Sequence, residues 1–222
     1  MISKNIQKTI ESVLQPKMEN YFATSDAQKL LKGKESGHIM GTIVEEMCGN
    51  FLNELGYHIT KEVNQLGEAK ARAHSDFNIV LSVGSGEETV HRVNVKFSGE
   101  KSGQPNVCAA NRMMNALRDG VIDGYYMLKV KFDRVEKETK VYFVDILDYI
   151  DCLTFNAGPG QIMLHERSFY EAYDNKEGRV ELSVDEKRKA IYNLYIEKTK
   201  EHLELRKLQL EKRIGELESF SI

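Results

Sequence analysis

Between His38 and Leu55 apolar residues recur at three- and four-residue steps. Met40, Val44, Met47, Phe51 and Leu55 form one stripe and Gly56 closes the segment, which predicts an amphipathic helix. Ahead of it the chain carries two short helical patterns, separated by the pair Gln15 and Pro16, with TSDAQ as a capping sequence before Leu30 and Leu31. After Gly56 the period shortens to two. YHITKEV, SDFNIVLSV, TVHRVNVKFS, YYMLKVKF and KVYFVDI read as β-strands, and the turn GSGEE makes a hairpin of the second and third. The polar loop GEKSGQPN leads into a predicted helix from about Val107 to Leu117, and FNAGPGQIML reads as a tight loop.

Beyond Ser183 the chain is rich in Glu, Lys and Leu and meets no helix breaker before Gly215, so one long helix is predicted. Leu203, Leu210 and Leu217 repeat at seven, while Ile191, Leu194, Leu205 and Leu208 form an offset set. That broad apolar face suits packing on its own domain or on a second subunit better than a strict two-stranded coiled coil. The organisation is therefore a helical segment over 1–37, a mixed α/β core over 38–182 and a terminal helix over 183–222.

Composition adds limits. The chain has 222 residues, of which 41% are hydrophobic, enough for a substantial core. No apolar run reaches the length of a membrane span, and MISKNIQKTIESVL is polar where a signal peptide needs a continuous apolar stretch, so a cytoplasmic protein without a membrane partner is expected. Cys48, Cys108 and Cys152 lie far apart without CxxC spacing or clustered histidines, which argues for packed, reduced thiols and against zinc or disulfides. A formal charge of -3 disfavours non-specific coating of nucleic acid but leaves room for a locally basic cleft.

Chemistry concentrates in two of the predicted strands. In VNVKFS, Val93, Val95 and Phe97 share one face, and Arg92, Asn94 and Lys96 share the other. Lysine is a poor strand former and costly to bury, so Lys96 calls for a reason. In SDFNIVL, Asp76 and Asn78 share a face, and pairing the two strands would bring Asp76 towards Asn94 and Lys96. A carboxylate, an amide oxygen and an ammonium converging at one end of a sheet form a place for a hard divalent cation and a water.

SDFNIVL followed across a hairpin by VNVKFS resembles the PD-(D/E)XK nuclease motif, with Asp76 as its first acid and Lys96 as its lysine. The helix GTIVEEMCGNFLNELGY is similar to the leading helix of that superfamily, with Glu45 at the position of its acid. Taken with YYMLKVKF and GPGQIML, the stretch from about residue 38 to 170 resembles a type II restriction endonuclease. The resemblance implies a restriction-endonuclease-like mixed β-sheet flanked by helices and a homodimer. It implies Mg²⁺-dependent hydrolysis of double-stranded DNA at a short specific sequence. Asp76, Asn94, the Val95 carbonyl and Glu45 would hold the ion, and Lys96 would position the attacking water. Ser75 stands in place of the motif proline and Asn94 in place of its second acid. An amide coordinates without charge, so either Glu45 supplies the missing carboxylate or Asn94 is an inactivating substitution.

Several readings stay open. Glu45 also reads as a solvated carboxylate beside Glu46, and Glu68 as an additional acid or an ordinary loop residue. Lys101, Gln104, Asn106, Asn111, Arg112, Asn115, Arg118 and Gln161 are candidates for reading bases or binding phosphates, and equally for a plain polar surface. Met113 and Met114 read as core fillers. The same core would also serve a repair or junction nuclease, and a non-catalytic DNA-binding or assembly protein with a decayed site would use the long helix as its interaction surface.

Overall fold

The computed structural model describes residues 2–32, 36–61, 75–83, 87–99, 103–120, 122, 124–156, 158–175 and 182–220. In chain order its elements are α1 (Lys4–Phe22), α2 (Ser25–Leu31), α3 (Ser36–Glu54), β1 (His58–Thr60), β2 (Phe77–Val83), β3 (Glu87–Ser98), β4 (Asn106–Ala109), α4 (Ala110–Arg118), β5 (Tyr126–Asp133), β6 (Glu138–Asp145), a 3₁₀ segment (Ile146–Cys152), β7 (Leu153–Asn156), β8 (Gln161–Leu164), α5 (Glu166–Asn175) and α6 (Val184–Glu218). Five strands form a mixed sheet in the order β1-β2-β3-β5-β6, in which only β3 and β5 run parallel. A second, antiparallel sheet has the order β4-β8-β7. The fold is mixed α/β with a long C-terminal helix.

Strand alternation sorts the core into two layers. Phe77, Ile79, Val93, Val95, Leu128 and Val130 face α1, α2 and α3. Met127, Tyr142 and Val144 face α4, α5, α6 and the small sheet. The predicted break at Gln15 and Pro16 does not occur, because α1 runs through Pro16 as one helix. An interior proline costs about 3 kcal/mol, and each of the buried Ile10, Leu14, Met18 and Phe22 stabilises by roughly 1.5–3 kcal/mol, so burial wins.

In α3 the buried stripe is Met40, Val44, Cys48 and Leu52, while Met47 and Phe51 are half-buried and Leu55 is exposed, so the helix is rotated from the predicted face. Gly56 ends it at a φ of 86°, a left-handed conformation that glycine adopts without steric cost. The helix expected from Val107 begins only at Ala110, because β4 pairs with β8 and buries Val107 and Cys108 as strand residues. That pairing is non-local and invisible to periodicity. The GPG loop is the turn of a β7–β8 hairpin.

α6 is stapled at its start. Ser183 and Glu186 form a capping box, and buried Lys187 pairs with Asp145 at 2.7 Å and Asp148 at 3.3 Å. The two carboxylates outweigh the burial that opposes it and hold the Lys187 ammonium above the ordinary lysine range. The helix then passes Gly215 without interruption, and residues 200–220 are exposed on every side. Among the described residues no helix is long and apolar enough to cross a membrane.

Candidate active site

The β2–β3 hairpin builds the site. Its register sets Phe77 against Val93, so one step earlier Asp76 lies opposite Asn94. The Asp76 N–H donates to the Val93 carbonyl at 3.0 Å, and the Asp76 Oδ2 accepts from the Val95 N–H at 2.6 Å. Val93 and Val95 turn into the layer beneath α1 and α3, which sends Asn94 and Lys96 to the opposite face, towards β4 and α4. Asp76, Asn94 and Lys96 thus share one side of the sheet, with Asp76 and Lys96 half-buried and Asn94 buried.

Asn94 has a specific task there. Its Nδ2 donates to the Val107 carbonyl and to the Tyr125 hydroxyl, each at 2.9 Å, tying β3 to β4 and to the start of β5. Its Oδ1 is buried and accepts no hydrogen bond among the described residues. A carboxylate at 94 would set an oxygen against the Val107 carbonyl where the amide sets a donor. The contact with the Val107 carbonyl therefore favours an amide over a carboxylate at this position.

Glu45 reaches this end of the hairpin from α3 and pairs with Lys61, which follows β1, at 3.6 Å. Burial, and after it the Asp76 carboxylate, hold the Glu45 carboxyl above the usual range; Lys61 and Lys96 act the other way. Its side chain is 29% exposed, lining a groove of about 360 Å³ with Glu46, Asn50, Asn53 and Phe77. It is therefore neither fully solvated nor remote from Asp76 and Lys96.

The groups that would serve as donors here are all oxygens: the Asp76 and Glu45 carboxylates, Asn94 Oδ1 and the Val95 carbonyl, which faces the same edge of β3 as the Val95 N–H that Asp76 engages. Among the described residues no group of three or more His, Cys, Asp or Glu converges, and the carboxylates they offer here are those of Asp76 and Glu45. Such a set suits a hard cation that keeps several waters, as Mg²⁺ does, and does not suit zinc. The orphaned Asn94 oxygen is the observation behind the fit, since a buried acceptor without a protein partner calls for a cation or a water.

One neighbour of Lys96 was not legible in the sequence. Lys129 on β5 is in register with Lys96 and is fully buried in an ion pair with Glu166 at the start of α5. The other Glu166 oxygen accepts from the Gly103 N–H at 2.7 Å. Burial, aided by Lys96 and Lys131 and opposed by Glu166, lowers the Lys129 pKa. The pair ties Gly103, ahead of β4, to the start of α5 beside Lys96. The only clue was the second lysine-bearing strand, YYMLKVKF, since nothing near Glu166 announced its partner. Cys108, close enough to Tyr125, Lys96 and Arg112 for each to influence it, is pushed up to about 12 by burial and is a packed thiol.

The candidate DNA-contacting residues fall in different surroundings. Gln104, Asn106, Asn111 and Asn115 are exposed, whereas Arg112 is half-buried near Arg92, Cys108 and Tyr125. Arg118 pairs with Asp119 at 2.8 Å. Gln161 lies opposite Ala109, and the Ala110 N–H donates to the Gly160 carbonyl at 3.0 Å, so the GPG turn abuts the start of α4. Met113 is buried and Met114 half-buried against the same core. Lys101 and Glu68 lie outside the described residues. Comparison of the chain with protein-family models and with curated proteins gives no match, so geometry alone carries the functional reading.

Proposed function

We propose that this chain is a Mg²⁺-dependent, site-specific endodeoxyribonuclease with a restriction-endonuclease-like core, acting on double-stranded DNA as a homodimer. The observation that carries the reading is the placement of Asp76, Lys96 and the unpartnered Asn94 oxygen on one side of the β2–β3 hairpin. Asp76, Asn94, the Val95 carbonyl and Glu45 would hold Mg²⁺, and a bound ion would supply Lewis-acid polarisation of a phosphoryl oxygen and lower the pKa of water.

The chain's own groups do the rest. Lys96 orients the attacking water and faces the negative charge that develops on the phosphate. The Val95 N–H holds the Asp76 carboxylate in one orientation, and Val107 and Tyr125 do the same for the Asn94 amide. Arg112 and the exposed amides of Asn111 and Asn115 lie on α4, beyond β4, where they would meet the duplex.

Incubating the full chain with phage DNA and Mg²⁺ and sequencing the ends tests the reading. Discrete fragments with a common terminal sequence are expected. Scission confined to branched or damaged substrates would replace site specificity with recognition of shape. A DNA mobility shift with no Mg²⁺-dependent scission would refute catalysis altogether.

A further inference from the structure

We propose that two copies of the chain associate through residues 200–218 of α6 as a parallel, in-register, two-stranded coiled coil, a narrower seam than the whole helix's apolar pattern implied because Ile191 and Leu194 of that pattern pack on the chain's own core. This names the interface of the homodimer in the reading above, yet it rests on the helix alone and would survive loss of the nuclease assignment.

α6 divides into two halves with different fates. Lys187 and Ile191 are buried, and Leu194 and Tyr195 pack against the core formed by α4, β7 and the 3₁₀ segment, so part of the offset apolar set belongs to the chain's own domain. From Lys200 onward every residue through Phe220 is exposed. That distal stretch is about 30 Å long at 1.5 Å per residue. A projecting helix of this length gains little from propensity alone and needs a packing partner.

Its sequence describes that partner. Taking Leu203, Leu210 and Leu217 as position d of a heptad, Ile214 falls at a together with Lys200 and Lys207. Leu203, Leu210, Ile214 and Leu217 are 61%, 55%, 54% and 65% exposed, an apolar seam that none of the described residues covers. The flanking positions are sorted by sign: Arg206 and Arg213 occupy g, and Glu204, Glu211 and Glu218 occupy e.

In a parallel pair each g residue faces the e residue five positions later on the partner. Arg206 then meets the partner's Glu211, and Arg213 meets the partner's Glu218. In an antiparallel pair g faces g and e faces e, setting Arg against Arg and Glu against Glu. Charge complementarity therefore selects a second copy, in parallel. The lysine at position 207 can lay its stem along the seam and carry its ammonium out to water, and a cationic a position disfavours closed higher-order cores. Leu205 and Leu208 fall off the seam, at f and b.

Sedimentation equilibrium of the full chain, without DNA or Mg²⁺, tests this at roughly 10–100 µM, where a weak to moderate dimer is populated. A dimer is expected. Leu210→Glu/Leu217→Glu should be monomeric with unchanged thermal unfolding of the core, since neither side chain touches its own domain. Glu211→Arg/Glu218→Arg and Arg206→Glu/Arg213→Glu should each self-associate about tenfold or more weakly, through four reversed pairs, while an equimolar mixture of the two recovers a heterodimer. A wild-type monomer or tetramer, dimerisation unaffected by the leucine changes, or no recovery on mixing would each overturn the proposal. None of these readouts depends on cleavage, so they separate failure of the interface from failure of the nuclease reading.

Discussion

In the proposed function Asp76 has two separable duties, and two substitutions distinguish them. Asp76→Ala removes both the carboxylate proposed to hold Mg²⁺ and the acceptor of the 2.6 Å bond from the Val95 N–H. A hydrogen bond to a charged group contributes about 1.5–3 kcal/mol. For a chain of this size each kcal/mol shifts Tm by about 2–4 °C, so Asp76→Ala should melt about 3–12 °C lower. Asp76→Asn keeps an oxygen that can accept from Val95 and removes only the charge, for a loss of about 1 kcal/mol or less and a shift of at most about 4 °C.

Both variants should fail to cut DNA. Circular dichroism melts paired with Mg²⁺-dependent plasmid cleavage read the two duties independently, and Lys96→Ala serves as the variant that loses cleavage while melting like the wild type. Asp76→Asn cleaving at the wild-type rate would refute its place in the metal site. An Asp76→Ala protein with an unchanged Tm would show that the bond to Val95 contributes nothing.

Three neighbouring groups, Asn94, Glu45 and Lys129, supply the further predictions. Asn94→Asp should lower stability by about 1–3 kcal/mol in denaturant titrations, because the Val107 carbonyl loses its donor, even though it restores the motif acid; a variant as stable as the wild type would show that the amide's donors are dispensable. Glu45 must lose its proton to bind a cation, and its carboxyl is held above the usual range, so Mg²⁺ affinity measured by calorimetry should fall on acidification at a pH higher than an ordinary glutamate would set. Lys61→Ala removes a charge that favours ionisation and should move that acid limb to still higher pH; an unmoved limb would exclude Glu45 as the titrating group. For the metal-free protein the sign of linkage is opposite to that of a salt-bridged acid: the folded state holds the Glu45 proton more tightly than the unfolded chain, so this group's contribution to stability declines as pH rises through its folded pKa. Lys129→Met leaves Glu166 buried with only the Gly103 N–H and should cost about 3–5 kcal/mol, much of it recovered in Lys129→Met/Glu166→Leu; a single-variant cost below about 1 kcal/mol would mean the pair contributes little.

Periodicity alone determined that residues near 38–55 form a helix, that the middle of the chain alternates as strands, that Asp76 and Lys96 come from the two arms of one hairpin, and that the chain ends in a long helix. These are local consequences of side-chain period and of a single short turn. Tertiary structure decided what depended on pairing across distance. Burial of Ile10, Leu14, Met18 and Phe22 carried α1 through Pro16, and β8 drew Val107 and Cys108 out of a helix and into β4. The Val107 carbonyl brought by that strand is what Asn94 satisfies, which favours an amide over a carboxylate there. Lys129 met Glu166, 37 residues further along the chain, only because parallel pairing placed β5 beside β3 and α5 folded back over that face. Local propensity acts within a few residues, whereas buried charges and ladder bonds are satisfied by whichever segments the fold brings together, and no spacing in the sequence encodes that meeting.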